Sequence, residues 1–146
     1  MTLETVPGWA LELVRRARVA RLGLLDEAGE PRVLPVTFAL HEGAVWSAID
    51  HKPKRPGEPA RVRRLRRRPE ATLLVDEYDE DWTRLAWVEL RGRVTVVDAA
   101  AGAAALDALA ARYAPYRERR PAGPLLRLDV ERVTSWRASE GPVSTG

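Results

Sequence analysis

Hydrophobic residues along the chain recur mainly in short runs with the spacing of β-strands. Alternating or continuous apolar runs predict strands at residues 19–25, 32–40, 45–49, 71–75, 84–97 and 125–136. The acids, Gly and Pro at 26–31 and the His-Glu-Gly sequence at 41–43 are typical of tight turns. Because short connections favour neighbouring antiparallel strands, we predict that the first three strands form an antiparallel meander rather than a βαβ unit.

Three segments have a helical pattern instead. Residues 7–17 place Trp9 and Leu13 on one face, residues 58–68 place Val62 and Leu65 among arginines, and residues 99–113 follow Asp98, a suitable N-cap. Within the strands, Pro35 predicts an edge or a bulge, and Gly92 predicts a bulge or a close backbone contact. The predicted fold is mainly β, a small barrel of about six antiparallel strands with a few short helices.

The length fits one domain, which we place at residues 1–137, followed by a polar C-terminal tail at 138–146. The chain has no cysteine and only two histidines, so disulfides are excluded and no metal site is predicted. Neither a signal peptide nor an apolar run of membrane-spanning length is apparent. We expect a cytoplasmic protein without membrane contact.

The two lysines of the chain stand together in one loop. Of its 24 basic side chains only Lys52 and Lys54 are lysines, and both follow the predicted strand 45–49. Pro53 and Pro56 push the preceding residues out of the helical region, so the loop is expected to run extended with both lysines on one side. We interpret it as a phosphate-binding corner; a solvated turn is the alternative interpretation.

Charge is distributed unevenly along the sequence. Nine basic residues lie between positions 52 and 68 against the single acid Glu58, whereas residues 76–81 contain five acids. A basic region of this kind attracts phosphates, carboxylates or nucleic acid. The sequences typical of serine hydrolases, phosphate-loop enzymes and Rossmann dinucleotide sites are absent, so a reaction would have to be carried by a bound cofactor.

Three stretches together resemble a known family. The sequence Gly-Glu-Pro-Arg-Val-Leu-Pro-Val-Thr-Phe at 29–38, the sequence Ser-Ala-Ile-Asp-His-Lys-Pro-Lys at 47–54 and the sequence Asp-Glu-Asp-Trp-Thr-Arg-Leu at 79–85 resemble the pyridoxamine 5'-phosphate oxidase-like split-barrel flavoproteins. More narrowly, they resemble the branch of probable F420-dependent oxidoreductases. The resemblance covers residues 18–136. The chain departs from the oxidase itself, because His51 replaces a Ser and Pro53 separates the lysines, which argues against oxidation of pyridoxamine phosphate.

The resemblance implies a homodimer of split barrels with a flavin-type cofactor, F420 or alternatively FMN, at the subunit interface. Its implied activity is hydride transfer between this cofactor and a small conjugated or heteroaromatic substrate, with no side chain as an essential acid or base. The resemblance places Lys52, Lys54 and Arg55 at the phosphate and Pro35, Val36, Thr37, Ser47, Ala48 and Ile49 at the ring, and Asp50 and His51 of the same loop are counted with the cofactor-binding residues. The residues themselves add Arg61 and Arg64 as candidates for the glutamate tail of F420, with a solvated helix face as the alternative, and Trp82 as a candidate to stack on the ring, with core or interface packing as the alternative.

Two other interpretations remain open from the sequence. A non-catalytic cofactor carrier would use the same binding residues. A nucleic-acid-binding barrel would use the arginines at 61–68, but the strands lack surface aromatics interleaved with basic residues, and the acids at 76–81 would repel a phosphate backbone. We therefore expect a small-molecule substrate and no nucleic acid. Acid/base roles for Asp79 and Asp81 are less favoured than an exposed acidic turn.

Overall fold

A computed structural model describes residues 1–49 and 57–138 of the chain. These residues form one antiparallel sheet of seven strands in the order β2-β1-β5-β6-β7-β4-β3. The strands are β1 (Ala20–Leu25), β2 (Pro31–Val36), β3 (Ala39–His41), β4 (Ala44–Ala48), β5 (Glu70–Glu77), β6 (Ala86–Val97) and β7 (Leu125–Arg137). The predicted mainly-β fold class is confirmed, with one strand more than expected.

Four helices and one 3-10 turn cover the sheet. They are α1 (Gly8–Arg16), α2 (Ala60–Arg67), the 3-10 turn Trp82–Arg84, α3 (Ala103–Arg112) and α4 (Ala114–Glu118). None of the helices in the described ranges is both long and apolar enough to cross a membrane.

The sheet is a split barrel because its two edge strands are joined by only two residues. β2 lies at one edge and β3 at the other, yet only Thr37 and Phe38 separate them in the chain. Three Cα–Cα steps span at most about 11 Å, so the sheet must curl until its edges approach each other at this connection. We call residues 36–39 the edge connection.

This geometry corrects two predictions. The segment 32–40 is two strands, and the first three predicted strands are not a meander. Instead β1 pairs with β2, and β3 pairs with β4 at the opposite edge. The backbone leaves β2 because Phe38 turns into the core, where it is fully buried, and because its amide bonds to the Tyr113 hydroxyl. Such long-range partners are not visible in local periodicity.

Other sequence predictions hold. Pro35 lies in edge strand β2, where a missing amide is tolerated. The β3–β4 turn has positive φ at Glu42 (50°) and Gly43 (76°), as a two-residue type I′ hairpin requires. The register of β6 against β7 shifts between Arg91 and Gly92, which confirms the predicted bulge.

Apolar side chains pack in two clusters. The larger fills the barrel and includes Phe38 together with Val62 and Leu65, which α2 presents as predicted. The smaller lies on the other side of β4, where Leu106 and Leu109 of α3 cover it. β4 is therefore buried on both faces.

The C-terminal helices differ from the prediction. α3 begins at Ala103, because Asp98 closes a preceding turn: its carboxylate accepts from the Ala101 amide at 2.8 Å and its carbonyl accepts from Gly102 at 3.0 Å. α4 was not predicted, since Pro115 suggested a break. The proline occupies the first turn of α4, where it is tolerated.

Asp26 holds the β1–β2 turn through its charge, which predicts a pH-dependent stability. Its carboxylate accepts from the amides of Ala28 and Glu30, each at 2.9 Å, and lies 3.6 Å from Arg32. The Glu30 amide first, then the Ala28 amide and Arg32, hold the pKa of Asp26 below its ordinary 3.8, against the opposing effect of burial. A depressed folded-state pKa adds stability above the unfolded pKa and loses it as pH falls.

We expect Asp26→Ala to be less stable than the wild type at pH 7. The difference in free energy of unfolding should begin to shrink as pH approaches 3.8 from above, where the unfolded-state carboxylate protonates, and should continue to shrink as pH falls through the lower folded-state pKa. Urea denaturation of both proteins between pH 2.5 and 7 measures it. A difference that stays constant over this range would contradict the proposed role of the charge.

Candidate functional site

The end of β4 meets the edge connection at the point where the chain enters the lysine-containing loop. The Ser47 hydroxyl donates to the Thr37 carbonyl at 2.8 Å. Two segments predicted to face a ring system, 35–37 and 47–49, are thus joined in space although ten residues separate the bonded pair. We call this junction of the edge connection with the end of β4 the candidate site.

Burial decides which of these groups a ligand could meet. Val36 and Ile49 belong to the barrel core, and Ala48 belongs to the cluster under α3. Pro35 is exposed and Thr37 is half-buried. A bound ring would therefore meet Pro35, Thr37 and the backbone of the strand ends rather than the apolar side chains of Val36, Ala48 and Ile49.

Two tyrosines from the C-terminal helices complete the junction. The Tyr116 and Thr37 hydroxyls share a hydrogen bond of 2.6 Å. The buried Tyr113 hydroxyl accepts from the Phe38 amide at 3.2 Å and lies 3.0 Å from the carbonyl oxygens of Phe38 and Arg18, to one of which it donates. The sequence analysis missed both tyrosines. Their spacing of three, directly after an apolar helix, was the available signal.

The predicted phosphate-binding residues Asp50, His51, Lys52, Lys54 and Arg55 lie outside the described residues, and their role stays a prediction. The described chain does give the start of this loop. Ile49 is buried and lies close to Gly123, where an added Cβ would be 3.8 Å from the Cβ of Ile49. Ile49, the last described residue before the loop, therefore lies beside the segment that precedes β7.

The two α2 arginines predicted to bind carboxylates differ in their contacts. Arg61 is half-buried and has no hydrogen bond or ion pair with another residue of the described ranges. Arg64 contacts both carboxylate oxygens of Glu27, at 3.1 and 3.2 Å. The Glu27 backbone amide and then the Arg64 guanidinium lower the pKa of Glu27. Arg64 thus already binds a carboxylate, and a ligand would have to displace Glu27.

Next to this pair lies a small basic notch. It has a volume of about 200 Å³ and is lined by Asp26, Glu27, Arg63, Arg64, Arg67 and Arg68. Both acids are already engaged, Asp26 in its own turn and Glu27 by Arg64. The notch therefore presents a net positive surface on the side of α2 that faces the β1–β2 turn.

Trp82 lies apart from the junction of Thr37 and Ser47. It is 66% exposed on the 3-10 turn between β5 and β6, and no described hydrogen bond or ring contact joins it to the edge connection or to β4. The Asp81 carboxylate accepts from the Thr83 hydroxyl at 2.7 Å and from its amide at 3.1 Å. These two bonds, the hydroxyl first, lower the pKa of Asp81, whose observed contacts are those of a capping residue.

A cavity larger than this notch lies elsewhere in the described chain. A groove of about 800 Å³ crosses the outer face of β2, β1, β5, β6 and β7. Val33, 70% exposed, lines it together with Arg32, Arg91, Arg93 and Arg132. None of the predicted site residues that the structure describes borders this groove, which periodicity alone did not indicate.

Comparison with known proteins agrees with this architecture. The family model described as pyridoxamine 5'-phosphate oxidase matches residues 9–137. No curated protein matches the chain.

Solved structures similar to this chain share its fold at low sequence identity. A conserved hypothetical protein from Mycobacterium tuberculosis is 18% identical, with a TM-score of 0.75 over 97% of this chain and 92% of that one. A FAD-binding protein from Mesorhizobium loti is 17% identical, with a TM-score of 0.67 over 89% and 94%. An F420 reductase is 22% identical, with a TM-score of 0.66 over 88% and 98%.

Proposed function

This chain belongs to the pyridoxamine 5'-phosphate oxidase family, and from that membership we propose that it is an oxidoreductase with a flavin-type cofactor. We place F420 first and FMN second, with hydride passing between the cofactor and a small conjugated or heteroaromatic substrate. The observation that carries the proposal is the Ser47–Thr37 hydrogen bond, which joins the two segments predicted to face the ring at the point where the lysine-containing loop begins.

The chemistry of the donor set fits such a cofactor. Lys52, Lys54 and Arg55 supply cationic donors for a phosphate, with Asp50 and His51 beside them. Pro35, Thr37 and the backbone of 47–49 offer a surface for the ring, and Arg61 has unused donors for a carboxylate tail. The cofactor supplies hydride chemistry when bound, while these residues bind and orient it.

We also propose that the active protein is a homodimer whose subunits share the cofactor site. The resemblance to the split-barrel flavoproteins, which implies a cofactor site shared between two subunits, supports this part of the proposal. Light scattering of the purified protein measures the mass directly, and a monomer at micromolar concentration would contradict this part of the proposal.

The main experiment is a pair of fluorescence titrations of the purified protein, one with F420 and one with FMN. Saturable binding of one cofactor supports the proposal. Transfer of hydride from the reduced, bound cofactor to nitroaromatic or enone test substrates would then separate an enzyme from a non-catalytic carrier. Binding of neither cofactor, together with salt-sensitive binding of DNA or RNA, would favour the nucleic-acid-binding barrel instead.

Trp82 gives a separate prediction because it is exposed. Trp82→Leu should leave the free energy of unfolding within about 0.5 kcal/mol of the wild type, as expected for a surface substitution. If the indole stacks on the cofactor ring, the same variant should weaken cofactor binding several-fold, whereas Tyr78→Leu on the same loop should not. Equal cofactor affinity in the wild type and Trp82→Leu would remove Trp82 from the site.

A further inference from the structure

Arg112, the last residue of α3, has two buried guanidinium nitrogens without a hydrogen-bond partner. These atoms are Nε and Nη2. Buried N–H groups are nearly always bonded, because an unsatisfied donor loses its hydration without compensation. Nε and Nη2 form one edge of the guanidinium, and their parallel N–H bonds match the two oxygens of a carboxylate or phosphate. The unused donors are thus a complete bidentate edge.

The surroundings of Arg112 are cationic and aromatic. Its guanidinium carbon lies 4.8 Å from the centre of the Phe38 ring and 5.4 Å from that of Tyr113. The Arg18 guanidinium lies 4.7 Å from the same Tyr113 ring, and its Nη2 donates to the Arg112 carbonyl at 2.7 Å. Ring faces attract cations but accept few N–H bonds, so stacking leaves the donor edge of Arg112 unsatisfied.

Neither arginine forms an ion pair with a residue that the structure describes. Within residues 1–49 and 57–138, the ion pairs of the structure include neither Arg18 nor Arg112. Two guanidinium groups on one tyrosine ring repel each other, although solvent screens this repulsion because Arg18 is exposed and only Arg112 is partly buried. An oxyanion placed against Arg112 would relieve the repulsion and satisfy both donors.

An anion can approach from the side of α4. The third guanidinium nitrogen of Arg112, Nη1, is not among the buried unsatisfied atoms, and Arg112 itself is only partly buried. The segment that follows, α4, has no buried residue. Tyr116 holds α4 to this region through its hydrogen bond with Thr37 and its edge-on contact with the Tyr113 ring. An anion that enters on this side would have to loosen these contacts to open the Nε–Nη2 edge.

We propose that Arg112, assisted by the charge of Arg18, binds the carboxylate or phosphate group of a small molecule beside the edge connection. Phe38, on which Arg112 stacks, directly follows Thr37 of the candidate site. This assignment of the anion rests on the proposed function: if a cofactor ring binds at the candidate site, the anion lies next to the ring and belongs to the substrate. The substrate class is then a conjugated compound with an acidic group.

Thermal denaturation in sodium benzoate, in inorganic phosphate and in sodium chloride of equal ionic strength tests the site. We expect benzoate or phosphate to raise the Tm of the wild type above its value in chloride. Arg112→Met should abolish this rise. It should also match or exceed the Tm of the wild type in chloride, because it removes unsatisfied buried donors. Arg117→Met is the matched control, since among the described residues Arg117 bonds to the Ala110 and Ala111 carbonyls alone.

Arg112→Lys covers the case in which the methionine variant does not fold. It keeps the charge and the ring contacts but lacks the two parallel donors, so its affinity for the anion should fall at least about tenfold. An equal Tm rise in the wild type and Arg112→Lys, or no rise beyond chloride in the wild type, would overturn the proposal and leave Arg112 a packing residue.

Cofactor titration of the same variants shows whether the anion belongs to the substrate or to the cofactor. An Arg112→Met protein that binds the cofactor with wild-type affinity, and a loaded wild type that still responds to benzoate, assign the anion to the substrate. A tenfold loss of cofactor affinity assigns it to the cofactor and overturns the substrate assignment. An anion response without binding of either F420 or FMN would reject the proposed function while supporting the anion site.

Discussion

Replacing Lys52 and Lys54 together by alanine should lower the affinity for F420 or FMN by about a hundredfold or more. Charge-assisted hydrogen bonds to a phosphate each contribute roughly 1.5–3 kcal/mol, and 1.4 kcal/mol corresponds to a factor of ten in binding. The loss should be specific, because these are the only lysines of the chain and both follow the buried end of β4. Fluorescence titration of the variant measures the effect.

A double variant with the same charge change is the control. Arg15→Ala with Arg119→Ala removes two exposed cations, one on α1 and one directly after α4. If the lysines acted only through long-range attraction, both double variants would lose cofactor affinity about equally, and the loss would be larger at low salt. Wild-type cofactor affinity in a folded Lys52→Ala/Lys54→Ala protein would rule out the phosphate-binding corner.

Gly92→Ala should lower the free energy of unfolding by about 2–4 kcal/mol. A Cβ at Gly92 would overlap the carbonyl oxygen of Asp129 and lie 2.9 Å from its carbonyl carbon. Both atoms are backbone of the neighbouring strand β7 and cannot rotate away. The change would therefore separate β6 from β7 at the bulge, and β7 also pairs with β4 at the candidate site.

Gly8→Ala is the matched control for this substitution. Gly8 is the first residue of α1, and a Cβ there has no heavy atom within 4 Å. Alanine should leave stability unchanged or raise it by up to about 1 kcal/mol, since glycine is the poorer helix former. Urea denaturation of both variants gives the comparison, and a Gly92→Ala protein as stable as Gly8→Ala would show that the bulge adapts freely.

Local patterns predicted most of the elements. The strands β1, β4, β5, β6 and β7 lie where alternating or continuous apolar runs placed them, and α1 and α2 follow their helical spacing. These predictions succeed because burying one face of a strand or helix requires an apolar residue at every second, or every third to fourth, position. That spacing can be seen in the sequence. The edge position of Pro35 and the bulge at Gly92 were also predicted, since each follows from the backbone constraints of its own residue type.

Predictions that needed a distant partner failed. The division of 32–40 into β2 and β3 depends on Phe38, whose backbone is held by Tyr113, 75 residues away. The late start of α3 depends on how the Asp98 carboxylate closes a turn, and α4 begins where a proline suggested an end. In each case neighbours in sequence favour one conformation and a tertiary or side-chain contact selects another.

The candidate site shows the same division. The sequence by itself determined which residue types are present: two lysines in one proline-containing loop, an arginine-rich helix and a family resemblance that the comparison confirms. Only the tertiary structure decided that Thr37 meets Ser47, that Arg64 is paired while the donor edge of Arg112 is not, and that Val36, Ala48 and Ile49 face packed cores. The physical reason is that residue type sets what a group can bond to, whereas burial and long-range contacts decide which of those bonds remain available.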